Sequence, residues 1–355
     1  MRISIRIATL AACLAISAPL APSAIASDTA VRPSDPVRNI LPLPSGDRSP
    51  RDQALARLNA VVDAEKQLPL LMQGAQTRAY IQSGPARGTI VMYHGFSAGT
   101  WQFEILARRA HAEGFNVYVP RLPGHGLRDA NGGEDVSGLP KGRSWRDYET
   151  FADSTCQDVS GLAAPISVIG LSVGGAIALS AAEQHPEVTR VVAYAPFLQA
   201  AGAAKIPINA EGVADWMTFG VAGNVLGLLP VHWSRDQQLE SASGERPGFT
   251  RFTMNNLYGV TLFGREIVAN AASQLKAPVQ FFTTAIDQAA DEPTIRKVYN
   301  LAGGAPRNSW YQYPASEKVP HAMIHPFEDQ GAGQTPELYD LTMKFLETGQ
   351  TFTRP

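Results

Sequence analysis

Between Pro165 and Leu179 the chain runs from a mostly apolar stretch, Ile166–Leu171, through Gly170-Leu171-Ser172-Val173-Gly174 into the small-residue stretch Gly175-Ala176-Ile177-Ala178. This pattern predicts a strand that turns abruptly into a helix, with Ser172 at the corner. A serine so placed is held in a crowded backbone conformation, so the residues two before and two after it must be tiny. Gly170 and Gly174 meet that demand, and Gly175 and Ala176 let the helix lie close to the strand. The helix start behind Ser172 offers unpaired N–H groups and a partial positive charge where an oxyanion would develop. The expectation is a serine nucleophile, with Val173 N–H as one oxyanion donor.

A nucleophilic serine needs a base, and the base needs a carboxylate to orient it. Strands expected at Thr89–Tyr93, Asn116–Val119, Ile166–Leu171, Val188–Ala195, Val279–Thr284 and Trp310–Tyr313 alternate with helices at Phe103–Ala112, Tyr148–Leu162, Gly174–His185, Thr294–Ala302 and Pro336–Leu346. Such alternation implies a mainly parallel sheet covered on both faces, with ligands bound beyond the carboxyl ends of the strands. Asp287 follows Val279–Thr284 in a short loop and His321 follows Trp310–Tyr313, so both are expected on the Ser172 edge. Asp291 and His325 are the rivals. Asp291 also suits the N-cap of the next helix, and the His321/His325 spacing lacks the H-E-x-x-H pattern of a metal site. The second oxyanion donor is expected at Phe96 N–H, in Tyr93-His94-Gly95-Phe96 just after an early strand. His94 then buttresses that loop, and His125 in Pro123-Gly124-His125-Gly126 shapes a rim loop.

The remaining stretches frame this core. Met1–Arg6 is basic, an apolar run follows, and Ala24-Ile25-Ala26 closes it, so residues 1–26 are expected to be an export signal. That makes the location periplasmic or secreted, with a lipoprotein anchored at Cys13 as the alternative, from Leu10-Ala11-Ala12-Cys13. The formal net charge of −2 becomes more negative without Arg2 and Arg6, so neither nucleic acid nor an anionic membrane is an expected partner. No integral span is expected, and the oligomeric state is left open. With only two cysteines in the chain, loss of Cys13 leaves Cys156 unpaired, excluding a disulfide framework or a cysteine metal cluster. Residues 27–75 are read as a Pro-rich, weakly ordered leader followed by a helix over Arg51–Gln67. Residues 76–199 and 273–355 form the core, and residues 200–272 break the rhythm as a helical cap. Trp216, Phe219 and Leu226 are candidate pocket residues under that cap.

Taken together, His94-Gly95-Phe96, Pro120–Gly126, Gly170–Gly175, Ala277–Asp287 and Val319-Pro320-His321 resemble the α/β-hydrolase superfamily. The likeness is to the monoacylglycerol lipase, carboxylesterase and lysophospholipase branch, grouped with serine aminopeptidases. Thr284, where a glycine is usual, and Ala289-Ala290, in place of bulkier residues, depart from the pattern. The resemblance implies an α/β-hydrolase fold with an inserted helical cap and ester cleavage by Ser172, His321 and Asp287. It implies a small-molecule or lipid-like ester substrate and no cofactor. Aminopeptidase or amidase chemistry, with Glu211 and Asp215 as residues to watch, and acyl transfer use the same three side chains. A non-catalytic binding protein is the alternative of another class.

Overall fold

The computed structural model describes residues 38–39, 49–68, 75–201, 228, 230–232, 248–328 and 331–354. The strands are β1 (Arg38–Asn39), β2 (Arg78–Tyr80), β3 (Thr89–Tyr93), β4 (Asn116–Val119), β5 (Leu127–Arg128), β6 (Glu134–Asp135), β7 (Ile166–Leu171), β8 (Val188–Tyr194), β9 (Pro230–His232), β10 (Arg251–Thr253), β11 (Val279–Thr284) and β12 (Ser309–Tyr313). The helices described are α1 (Pro50–Glu65), α2 (Glu104–Ala112), α3 (Arg146–Val159), α4 (Val173–Gln184), α5 (Met254–Asn270), α6 (Glu292–Leu301) and α7 (Thr335–Thr348).

Eight strands form one sheet in the order β1-β2-β4-β3-β7-β8-β11-β12. Only β2 against β4 is antiparallel; the other pairings are parallel. Successive strand residues face opposite sides, so each strand feeds two cores. Val91, Tyr93, Val168, Val191, Ala193 and Phe281 face one side, beneath α1, α3, α4, α5 and α6. Ile90, Met92, Ile169, Val192, Tyr194 and Phe282 face the other, beneath α2 and α7. Because the central strands are buried on both faces over most of their length, they read as mostly apolar runs in the sequence.

α4 is buried from Val173 to Ala182. Its small residues permit this: a Cβ at Gly175 would sit 3.0 Å from Pro196. Cys156 lies buried in the same core, and burial pushes its thiol up to about 12. α1 starts with a reciprocal cap, Ser49 Oγ accepting from Asp52 N–H and the Asp52 carboxylate accepting from Ser49 N–H. It buries Ala54, Leu55 and Leu58 in the α3–α4 core.

Residues 38–39 fall in the stretch expected to be a weakly ordered leader, yet they form the outermost strand and pair with Ala79 and Tyr80. Backbone groups alone make that pairing, so no apolar periodicity announces it. α5 falls inside the interval expected to be the cap, but Val260, Phe263 and Ile267 pack in the main core. A Cβ at Gly264 would sit 2.2 Å from Leu198 O, which is how closely α5 approaches the body. β9 and β10 pair antiparallel just ahead of α5. The expected signal with Cys13, the candidate pocket residues Trp216, Phe219 and Leu226, and Glu211 and Asp215 lie outside the described residues. Among the described residues, no helix is long and apolar enough to cross a membrane.

Candidate active site

Ser172 joins β7 to α4 with φ 58° and ψ −120°, a conformation that L side chains rarely adopt. Three backbone bonds fix it there: Ser172 N–H donates to Tyr194 O at 2.9 Å, and Ser172 O accepts from Phe197 and Ala176 N–H at 2.8 and 3.1 Å. The flanking glycines are obligatory. A Cβ at Gly170 would lie 1.9 Å from Gly174 O, and one at Gly174 would lie 2.0 Å from Tyr93 O. Real Cβ atoms cannot approach backbone oxygen so closely, so the turn and its sequence imply one another. Val173 N–H, first in α4, has no intrahelical acceptor.

The loop after β3 lies against this turn. A Cβ on Gly95 would sit 3.7 Å from Ser172 Cβ. Gly95 O is held by His94 Nδ1 at 2.9 Å and by Ala98 N–H at 3.3 Å. The peptide is planar and trans, so Phe96 N–H must point away from Gly95 O and its two donors. His94 is itself fixed, since Leu122 N–H donates to its Nε2 at 3.1 Å. Nε2 is therefore the acceptor, and Nδ1 carries the proton given to Gly95 O. Burial, with His125 and Arg121 nearby, holds His94 well below the usual imidazole range, so it stays neutral. His125 is buried too and pushed down to about 4 by burial. It meets the Phe96 ring edge-on at 5.6 Å, and Phe249 and Phe252 close around the same ring.

Leu171, Tyr194 and Phe282 stand in one row of the sheet, so the segments leaving β7, β8 and β11 emerge at the same height. Asp287 follows β11, and its Oδ2 lies 2.8 Å from His321 Nδ1. Its Oδ1 accepts from Ala289 and Ala290 N–H at 2.8 and 2.9 Å. Burial alone would raise this carboxyl, but the His321 charge and hydrogen bond and the two backbone donors outweigh it, and Asp287 lies below its ordinary value. For His321, burial alone would lower the imidazole, but the Asp287 charge and hydrogen bond, with Glu328 behind them, raise it. Thr284, the departure from the usual pattern, donates through Oγ1 to Val319 O at 2.7 Å and ties the acid strand to the histidine loop. Ala289 and Ala290, the other departure, give their N–H groups to Asp287, while Ala289 O accepts from Ala201 N–H at 2.9 Å and Ala290 is buried in the main core.

The rival residues have other partners. Asp291 caps α6, accepting from Thr294 N–H. His325 packs edge-on against Trp101 at 5.1 Å and accepts from Phe327 N–H through Nδ1. Gln102 and the Glu65–Arg121 pair carry no motif that would single them out in the sequence.

A mainly parallel sheet with a single antiparallel pairing and a strained serine between strand and helix define an α/β hydrolase. The chain belongs to the family described as serine aminopeptidase, S33 (Hydrolase_4), which matches residues 84–314, well over half of its length. It is 30% identical over 170 residues to the thermostable monoacylglycerol lipase of Bacillus sp. (strain H-257), a match spanning 46% of this chain and 55% of that lipase. Among solved structures, the Paleococcus ferrophilus monoacylglycerol lipase is similar with a TM-score of 0.57 at 19% identity, over 77% of this chain and 98% of that one. A soluble variant of the Saccharomyces cerevisiae monoglyceride lipase, solved with a substrate analogue, gives 0.57 at 14% identity, over 78% and 91%. At such identities the two structures speak to the fold.

Proposed function

We propose that this chain is an exported serine hydrolase that cleaves carboxylic esters of apolar acyl groups, monoacylglycerols among them. The observation that carries the reading is the Asp287–His321 pair at 2.8 Å, on the sheet edge where the β7–α4 turn mounts Ser172. The substrate class draws support from the Bacillus relative, itself a monoacylglycerol lipase. Export rests on residues 1–26 as a sequence.

Asp287 accepts a hydrogen bond from His321 Nδ1–H and so leaves Nε2 as the base. Nε2 takes the Ser172 hydroxyl proton while Oγ attacks the acyl carbon, and the carbonyl oxygen becomes an oxyanion. Phe96 and Val173 N–H donate to that oxygen; losing one such donor typically costs about 3 kcal/mol of transition-state stabilisation. Collapse breaks the bond to the leaving alcohol, which receives the proton from His321. Water then adds to the acyl-serine, giving its proton to His321, and the carboxylic acid departs as Ser172 recovers its hydrogen.

The test is turnover of p-nitrophenyl esters from acetate to palmitate by the chain beginning at Ser27, with Ser172→Ala alongside. Hydrolysis that disappears in the variant is the expected result. Equal hydrolysis by the variant removes Ser172 from the mechanism, and turnover of peptides but not esters moves the substrate to an amide.

A further inference from the structure

The loop after β3 and the loop after β12 belong to strands four positions apart in the sheet, roughly 19 Å at ordinary strand spacing. They nevertheless meet across the carboxyl edge. Gln102, in the turn Thr100–Phe103, is only 3% exposed, and its Oε1 accepts from Gly95 N–H at 2.8 Å. Its Nε2 donates to Glu328 Oε2, also at 2.8 Å. Beside this bridge Trp101 meets His325 edge-on, so two neighbours on one segment engage two residues of the other.

The amide is read unambiguously. A backbone N–H can only donate and an ionised carboxylate can only accept, so Gln102 must turn its oxygen to Gly95 and its nitrogen to Glu328. Among side chains of this length, only glutamine offers an acceptor and a donor at once without charge. The fit is close, since a Cβ on Gly95 would lie 3.3 Å from Gln102 Oε1. Two successive peptides of the loop are therefore held independently. His94 and Ala98 fix the peptide that carries Phe96 N–H, and Gln102 fixes the one before it.

We propose that Gln102 is a positioning residue that holds the oxyanion-donor loop in register with the His321 loop through Glu328. The inference rests on the roles given to Ser172, His321 and Phe96. Misplacing Phe96 N–H weakens a bond that matters most in the transition state, so the loss should fall on kcat rather than on KM.

The experiment compares wild type, Gln102→Glu, Glu328→Gln, the double variant and Glu328→Ala on p-nitrophenyl butyrate. Rates are taken on the alkaline plateau, where His321 is neutral in every protein. Gln102→Glu sets two carboxylates face to face, and kcat should fall about 10- to 100-fold with KM within about threefold. In the double variant the introduced carboxylate accepts from Gly95 N–H and from the new amide at 328, restoring the bridge with its polarity exchanged. Its kcat should return to within about threefold of wild type. Glu328→Gln keeps an acceptor for Gln102 and should lose less than Gln102→Glu.

Unchanged kcat in Gln102→Glu, a loss confined to KM, or a double variant no better than Gln102→Glu would each overturn the proposal. Should Gln102→Glu fail to fold, the more accessible Glu328→Ala decides: a fall of at least about threefold in kcat at constant KM supports the bridge, and a smaller one overturns it. Wild-type protein inactive on every ester would instead overturn the reading of the site, so the two failures are distinguishable.

Discussion

Asp287 holds His321 with one carboxylate oxygen while the other is tied to two backbone N–H groups, so the carboxylate can neither rotate away nor be replaced by a neutral acceptor without loss. The imidazole is raised because Asp287, with Glu328, outweighs the lowering effect of burial. The neutral base is lost as pH falls through that raised value, so the acid limb of kcat/KM should lie above the ordinary imidazole value of about 6.5. Asp287→Asn removes the largest raising influence and leaves burial to act. Its acid limb should move to lower pH while the plateau falls about 10³- to 10⁴-fold. A pH–rate profile of both proteins checks this, and an unmoved limb would contradict it.

Ser172 is held at φ 58°, where glycine is at ease and other residues are strained. Ser172→Ala keeps that strain, whereas Ser172→Gly relieves it. The glycine variant should therefore be more stable than the alanine variant by about 1 kcal/mol or more, reversing the usual order of the two residues. Urea denaturation of the pair measures the difference. Equal stability, or a less stable glycine variant, would show the turn to be unstrained.

The acidic end of α1 is built into the body. Glu65 accepts from Arg121 Nε at 2.9 Å and from Thr77 N–H and Oγ1, while Arg121 also donates to His125 O at 2.8 Å. Glu65 and Arg121 are both largely buried, so Glu65→Ala leaves a charge and a backbone donor unpaired. The expected cost is about 3–5 kcal/mol in equilibrium unfolding, far more than an exposed pair would lose. A loss under about 1 kcal/mol would mean that α1 merely rests on the surface.

What could be read from the sequence follows from how local each signal is. The β7–α4 turn was legible because steric demands at Ser172 are met by residues two positions away. The central strands were legible because burial on both faces makes them mostly apolar. Asp287 and Asp291 separated on position: one follows a strand directly, and the other precedes a helix it can cap. β1 was not legible, because two residues pairing through backbone leave no side-chain pattern. Gln102 and Glu328 are 226 residues apart in the chain and meet only after the sheet has brought their loops together. Thr284 departs from the glycine of the pattern, and its hydroxyl is the link to Val319, a partner 35 residues away that no local signal announces.

The central claim is that Ser172 is a nucleophile activated by the Asp287–His321 pair. Intact-protein mass spectrometry after treatment with a fluorophosphonate tests it most directly, because the reagent phosphonylates an activated serine hydroxyl with loss of fluoride. A single adduct that maps to Ser172, is absent in Ser172→Ala and forms far more slowly in Asp287→Asn is the predicted result. No adduct on the wild type, or one that persists in Ser172→Ala, would contradict it.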